Sequence, residues 1–229
     1  MRTIGLLGGL TWHSTAGYYE RINRGVAGRL GPFRSAKIVM HSVDYGEVRR
    51  SRDDGNWRRL GKQLVRACRG LEQAGADGVF LCSNTIHEYA PRIQSQISIP
   101  IVHIADAVAE RAHADGLTGL ALFGTAFTMS RPFIRQRLEA AGLRVFLPDE
   151  GARASIDRII LEELAAGDVC ASSRAVFTEQ MALLQRQGAE AMVLGCTEIG
   201  LLIDAEHVEV PVLDTTPIHA DRAVAWALE

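Results

Sequence analysis

The chain has 229 residues, enough for one large domain or two small ones. A hydrophobic share of 47% can supply a sizeable buried core, which argues against disorder. The formal charge is −2 with acids and bases interspersed, so the basic footprint of a nucleic-acid binder is missing and no nucleic-acid partner is expected.

No apolar run is long enough to span a bilayer, and no membrane partner is expected. Met1-Arg2-Thr3 leads straight into Ile4-Gly5-Leu6-Leu7-Gly8-Gly9, which reads as a buried strand and is too short for a signal segment. Cys68, Cys82, Cys170 and Cys196 form no CxxC pair, so free thiols in a reducing cytoplasm are expected. No His or Cys pair has zinc-site spacing, and no metal is expected. Lys37 and Lys62 are the only lysines and neither lies in a pyridoxal-type motif, so no cofactor is expected either.

In chain order, short apolar runs alternate with longer helical patterns. Strands are predicted at 3–7, 37–42, 78–82, 101–104, 119–123, 144–147, 191–194 and 212–213. Helices are predicted at 14–29, 57–74, 104–115, 130–141, 152–165, 172–187 and 217–228. Gly75, Gly142 and Gly188 each close a helical pattern just ahead of a strand. This alternation predicts an α/β fold with mainly parallel sheets flanked by helices.

The pattern occurs twice. Leu7-Gly8-Gly9 pairs with Phe123-Gly124-Thr125, Leu81-Cys82-Ser83-Asn84-Thr85 with Leu194-Gly195-Cys196-Thr197-Glu198, and Ile99-Pro100-Ile101-Val102 with Val210-Pro211-Val212-Leu213. Three strand-end motifs recurring in one order, about half a chain apart, predict two similar lobes related by pseudo-two-fold symmetry. The first would comprise residues 1–103 plus 217–229, the second 104–216. Ligands of open α/β sheets bind beyond the carboxyl ends of the strands. Two lobes facing each other would gather Gly8, Ser83, Thr125 and Cys196 around one cleft. Inverting a stereocentre needs such a cleft, with one group removing the Cα proton and another returning a proton from the opposite side.

The stretch from Gly8 to Thr15, with Tyr18-Tyr19 and Ile22-Asn23, resembles the opening of aspartate racemases. Ser83-Asn84-Thr85-Ile86-His87, Gly124 to Met129, Gly195-Cys196-Thr197-Glu198-Ile199 and Asp214 to Ala220 extend the resemblance over nearly the whole chain. The family is the aspartate/glutamate/hydantoin racemase superfamily. The resemblance implies an isomerase that needs no pyridoxal phosphate, acts on aspartate, glutamate or a related amino acid or dicarboxylate, and works as a homodimer. It also implies two catalytic cysteines, one per lobe.

The first lobe departs from that pattern. The family's first catalytic residue directly precedes Asn-Thr, and that position here is Ser83, although some members carry Thr there. Neighbouring side chains of an extended segment point to opposite sides, so Cys82 should face the core and Ser83 the cleft. Cys196, a free thiol of ordinary pKa about 8.5, is readily lowered by its surroundings, whereas a serine hydroxyl needs a neighbouring base. Cys196 and Ser83 are therefore the expected catalytic pair, with Cys196 dominant.

Asn84, Thr85 and Thr197 supply donors for the α-carboxylate, or alternatively cap helices. The resemblance adds Thr125 and Thr128 as substrate contacts, although Thr128 could instead cap a helix beginning near Ser130. Gly9 and Trp12 at the first glycine turn complete the set, with Ser14 a possible N-cap. Arg49 and Arg52, in an expected loop over the cleft, are candidates for a distal carboxylate. His87 and His219 could assist a thiol or be satisfied structural groups, and Glu198 could move protons or stabilise its helix start. Two other readings stay open: a single-cysteine decarboxylase-type lyase, and a non-catalytic binder of amino acids or dicarboxylates.

Overall fold

The computed structural model describes the backbone of residues 1–229 and every side chain except those of Arg52 and Asp53. The chain divides into two compact units, Met1–Ile104 with Thr216–Glu229, and Ala105–Thr215. Each is built on its own four-stranded sheet.

The first unit holds β1 (Ile4–Gly8), β2 (Ile38–Ser42), β3 (Gly78–Leu81) and β4 (Ile101–Val102) in the order β2-β1-β3-β4. All its neighbouring strands run parallel, with Leu6 paired to Met40 on one side and to Phe80 on the other. Its helices are α1 (Trp12–Leu30), α2 (Tyr45–Asp53), α3 (Trp57–Gln73) and the short α4 (Ala90–Gln94). In the second unit come α5 (Ile104–Ala114), β5 (Gly119–Phe123), α6 (Ala126–Ser130), α7 (Pro132–Ala140), β6 (Arg144–Phe146), α8 (Glu150–Arg158), α9 (Ala171–Arg186), β7 (Ala191–Leu194) and β8 (Val212–Asp214). Helix α10 (Thr215–Leu228) returns the chain to the first unit. The second sheet repeats the first in topology, β6-β5-β7-β8, again all parallel.

Alternation along the strands sorts the first core into two layers. Ile4, Leu6, Phe80 and Cys82 face one way and pack on Tyr18, Ile22 and Val26 of α1 and on Ala223 and Trp226 of α10. Leu7, Val79 and Leu81 face the other way, against Leu60, Leu64, Cys68 and Leu71 of α3. Each such large side chain taken from water contributes roughly 1.5–3 kcal/mol. In the second unit Phe123, Met192 and Leu194 pack on Ile156, Phe177 and Met181.

The two sheets are also fastened alike at their amino-terminal edges. Thr3 N–H donates to the Asp77 carboxylate at 2.6 Å. Thr118 and Gly119 N–H groups donate to Glu190 at 2.6 and 3.0 Å. Those backbone donors, joined by the Thr118 hydroxyl, hold the Glu190 carboxyl below its ordinary range.

Three helical expectations need correction. Residues 49–52 are not a loop but lie in α2, whose only buried side chains outside the undescribed pair are Val48 and Ser51. So polar a helix carries almost no apolar period for a sequence reading to find. The single helix expected at 130–141 is two, because Arg131 precedes Pro132 and is extended (φ −87°, ψ 147°). A residue before proline is pushed out of the helical region. The helix expected at 152–165 begins earlier, with Asp149 accepting from Ala152 N–H at 2.8 Å. After Arg158 it widens to a π turn (Ile159–Glu163), tightens to a 3-10 turn (Leu164–Ala166) and stops at Gly167 with φ 88°. The wider turn lets Ile159, Ile160 and Leu164 all reach the core.

No helix among the described residues is long and apolar enough to cross a membrane.

Candidate active site

In a sheet ordered β2-β1-β3-β4 the chain leaves β1 towards opposite sides for β2 and β3, so the crevice between the carboxyl ends of β1 and β3 is the switch point where such sheets bind ligands. Gly8 and Gly9 occupy one side of it and Ser83 the other, two residues past the end of β3. Gly9 has φ +92°, and a Cβ there would lie 2.1 Å from the Val43 carbonyl oxygen, so only glycine fits this turn. Thr15 secures it: its Oγ1 accepts from Gly9 N–H at 2.9 Å and donates to the Thr11 carbonyl at 3.1 Å. Helix α1 starts at Trp12 with Thr11 at its N-cap position, so Ser14 lies inside the first turn and is not the cap. Trp12 is 65% exposed and stacks on His13 at 3.6 Å.

Cys82 points into the core, 1% exposed, with its Sγ near the Phe80 carbonyl. Burial pushes its thiol far up, so it is inert as a nucleophile or base. Ser83 beside it is half-buried. Asn84 is buried and Thr85 opens a 3-10 turn (Thr85–Tyr89). The Asn84 side chain makes no capping bond to that turn.

His87, in the same turn, is fully buried and belongs to the structural class. Its Nδ1 lies 2.9 Å from the Ser83 carbonyl and its Nε2 accepts from Ile104 N–H at 3.1 Å. Burial first, then His103 and His219, hold its pKa well below the ordinary value. His219 is equally buried, bonded to Tyr18 OH at 2.8 Å and to the Val102 carbonyl at 2.9 Å.

The second sheet places its groups in the same register. Cys196 lies two residues past the end of β7, and Thr197 opens a 3-10 turn (Thr197–Leu201). A Cβ at Gly195 would meet the Phe123 carbonyl oxygen at 2.9 Å, so the approach to Cys196 requires glycine. The half-buried Cys196 thiol donates to Glu198 Oε2 at 3.0 Å. Burial first, then the Glu198 carboxylate and last Asp157, raise the thiol well above its ordinary value. The sequence expectation of a readily lowered thiol is therefore reversed, because burial and neighbouring carboxylates both favour the neutral thiol.

Thr125 caps α6, accepting from Thr128 N–H at 3.4 Å, so the capping role considered for Thr128 falls to Thr125. Thr128 is 1% exposed and packs against Gly124 and Gly195. Asp157 of α8 accepts from Ala126 N–H at 2.7 Å, and sequence reasoning missed it. It lies 39 positions before Cys196 in a helix without any motif, so no spacing signal could have revealed it. Arg49 is exposed on α2, and the Arg52 side chain lies outside the described residues. No group of three or more His, Cys, Asp or Glu side chains among the described residues could hold a metal ion.

Two parallel α/β units of one topology, each with a proton-bearing side chain two residues past its third strand, define the two-lobed α/β racemase fold. The Asp/Glu/hydantoin racemase family model matches residues 7–223, and the chain belongs to that family. The crystal structure of a protein from Yersinia pestis, provisionally named an Asp/Glu racemase, is 40% identical, with a TM-score of 0.95 and full coverage of both chains. An aspartate racemase homologue from Pyrococcus horikoshii OT3 is 31% identical, with a TM-score of 0.87 and again full coverage of both. The broad specificity amino-acid racemase RacX of Bacillus subtilis (strain 168) is 23% identical over 167 residues, 73% of this chain and 72% of that protein.

Proposed function

We propose that the protein racemises aspartate, glutamate or a related amino acid without a cofactor, using Cys196 on one face of the substrate Cα and Ser83 on the other. The observation that carries this reading is the Cys196–Glu198 contact, a thiol donating to a carboxylate at 3.0 Å just beyond a strand end, in a chain of racemase lineage.

Cys196 rests as a thiol because of its raised pKa, and so begins as an acid. When Glu198 takes its proton, the resulting thiolate can remove the Cα proton. The planar carbanion then receives a proton on its other face from the Ser83 hydroxyl, which is replenished through water. In the reverse direction the Ser83 oxygen, having passed its own proton to water, takes the Cα proton. The Cys196 thiol protonates the carbanion on the other face, and the resulting thiolate regains a proton from water. Charge developing on the α-carboxylate would be met by fixed donors from Asn84, Thr85 and Thr197. The Glu198 and Asp157 carboxylates favour the substrate ammonium on the Cys196 side. Gly9, Trp12, Thr125, Arg49 and Arg52 stay in the proposal as substrate-contacting positions. This mechanism requires Ser83 and Cys196 to meet one carbon from opposite sides.

The experiment is Cα deuterium incorporation, followed separately for both enantiomers of a panel of amino acids. Exchange with inversion supports the reading, and absence of exchange for every substrate overturns it. A second reading is favoured by the burial of Cys82, which leaves one thiol at these strand ends. One thiol suffices for a decarboxylase-type lyase that protonates a single face. Carbon dioxide release from a substituted malonate would decide for it, and binding without turnover would decide for a plain binding protein.

Exposed Tyr19, Leu30, Phe33 and Met40 on the first unit support the further proposal of a homodimer, which light scattering would test. The four free cysteines suit a reducing cytoplasm.

A further inference from the structure

The buried histidines contact neither a thiol nor a carboxylate among the interactions described, yet one of them holds the Ser83 turn. We infer that His87 is the positioning residue for Ser83, fixing the Ser83–Asn84 peptide plane from behind as a neutral imidazole of one tautomer. The inference rests on the racemase reading and adds to it the device that aims its weaker catalytic group.

Both ring nitrogens are used, and in only one way. Nε2 lies 3.1 Å from Ile104 N–H and must accept, so it carries no hydrogen. Nδ1 lies 2.9 Å from the Ser83 carbonyl and must donate, so it carries the hydrogen. An imidazolium would set an N–H against the Ile104 N–H, inside a fully buried site. It would also face two more imidazoles, His103 at 4.4 Å and His219 at 5.6 Å between ring centroids. His219 is braced in turn by Tyr18 and the Val102 carbonyl, so the ring of His87 has little room to rotate.

A planar peptide whose carbonyl is held has its N–H direction held too. His87 thus sets the entry of the chain into the 3-10 turn that follows Ser83. A displacement of about 1 Å at a reacting group can cost on the order of a hundredfold in rate.

Two substitutions separate the roles of the nitrogens. In His87→Asn the shorter amide can still donate to the Ser83 carbonyl from the Nδ1 position. In His87→Gln the longer amide reaches the Nε2 position and meets Ile104 N–H, but loses the Ser83 carbonyl. The measurement is Cα deuterium exchange for each enantiomer, beside thermal midpoints. His87→Gln should lose between about tenfold and about a hundredfold on the Ser83 face and little on the Cys196 face. His87→Asn should keep most of the Ser83-face rate.

Parallel loss on both faces, or an unchanged Ser83-face rate in both variants, overturns this inference and leaves the racemase reading standing. Absence of exchange in the wild type overturns both. Should the variants not fold, ¹⁵N spectra of the wild-type imidazoles decide. A neutral Nδ1–H tautomer at pH 6.5 supports the assignment, and an Nε2–H tautomer or an imidazolium there overturns it.

Discussion

The Ser83 site and the Cys196 site share a position in their sheets and differ in what surrounds them. Each follows the third strand of its unit by two residues and leads into a 3-10 turn. Behind Ser83 stand buried histidines and a carbonyl clamp, and no described contact pairs its hydroxyl with a base. Beside Cys196 stands a carboxylate that accepts a hydrogen bond from its thiol, and Asp157 adds a smaller effect of the same sign. One duplicated scaffold therefore carries a geometrically held hydroxyl in one copy and an electrostatically loaded thiol in the other. A repeat conserves the place of a side chain, while the proton chemistry there comes from non-repeated neighbours.

That asymmetry breaks hardest at Cys196. Cys196→Ala should lower exchange on its face about a thousandfold or more, because the thiol that exchanges the Cα proton there is gone. Residual exchange on that face close to wild type would move the reaction elsewhere.

Glu198→Gln comes next. Removing the carboxylate takes away the thiol's proton acceptor, and exchange on the Cys196 face should fall by about tenfold to a hundredfold. The same change removes a cause that raises the thiol, so its titration should move down in pH. The rate of alkylation against pH reads this directly, and an unmoved midpoint would detach Glu198 from Cys196.

The comparison can also be levelled. Ser83→Cys gives both sites a thiol and should raise racemisation of at least one enantiomer on the order of tenfold, equivalent to about 1.4 kcal/mol off the barrier. The smallest effect belongs to Cys82→Ala. Its thiol is in the core between Phe80 and the α1 and α10 side chains, so exchange should stay near wild type with a stability loss of about 1 kcal/mol. Loss of all exchange in a folded Cys82→Ala protein would reassign the first catalytic position.

Much of this contrast was legible early. The inward face of Cys82 followed from strand alternation, since Phe80 and Cys82 share one side and Leu81 the other. Glu198 was within reach of a reading along the chain because it lies two residues from Cys196. His87 was recognised as part of a motif, but whether it served a thiol or the backbone depended on His103, His219 and Ile104, which no local pattern connects. The direction of the Cys196 shift was missed for a similar reason: a thiol's proton affinity is set by burial and by charges brought near in space, Asp157 among them.

The sequence by itself determined the alternation of strands and helices, the duplication and its offset, the glycine turns and the racemase family. These are local or periodic properties, expressed over a few consecutive residues or repeated at fixed intervals. Only the tertiary structure decided that residues 49–52 join a polar helix, that the chain after Arg158 widens into a π turn, that Thr128 is packed beneath two glycines, and that burial and carboxylates raise the Cys196 thiol. Each depends on what a side chain meets after the chain has folded back on itself. Packing and desolvation between residues distant in sequence are not written in any one segment.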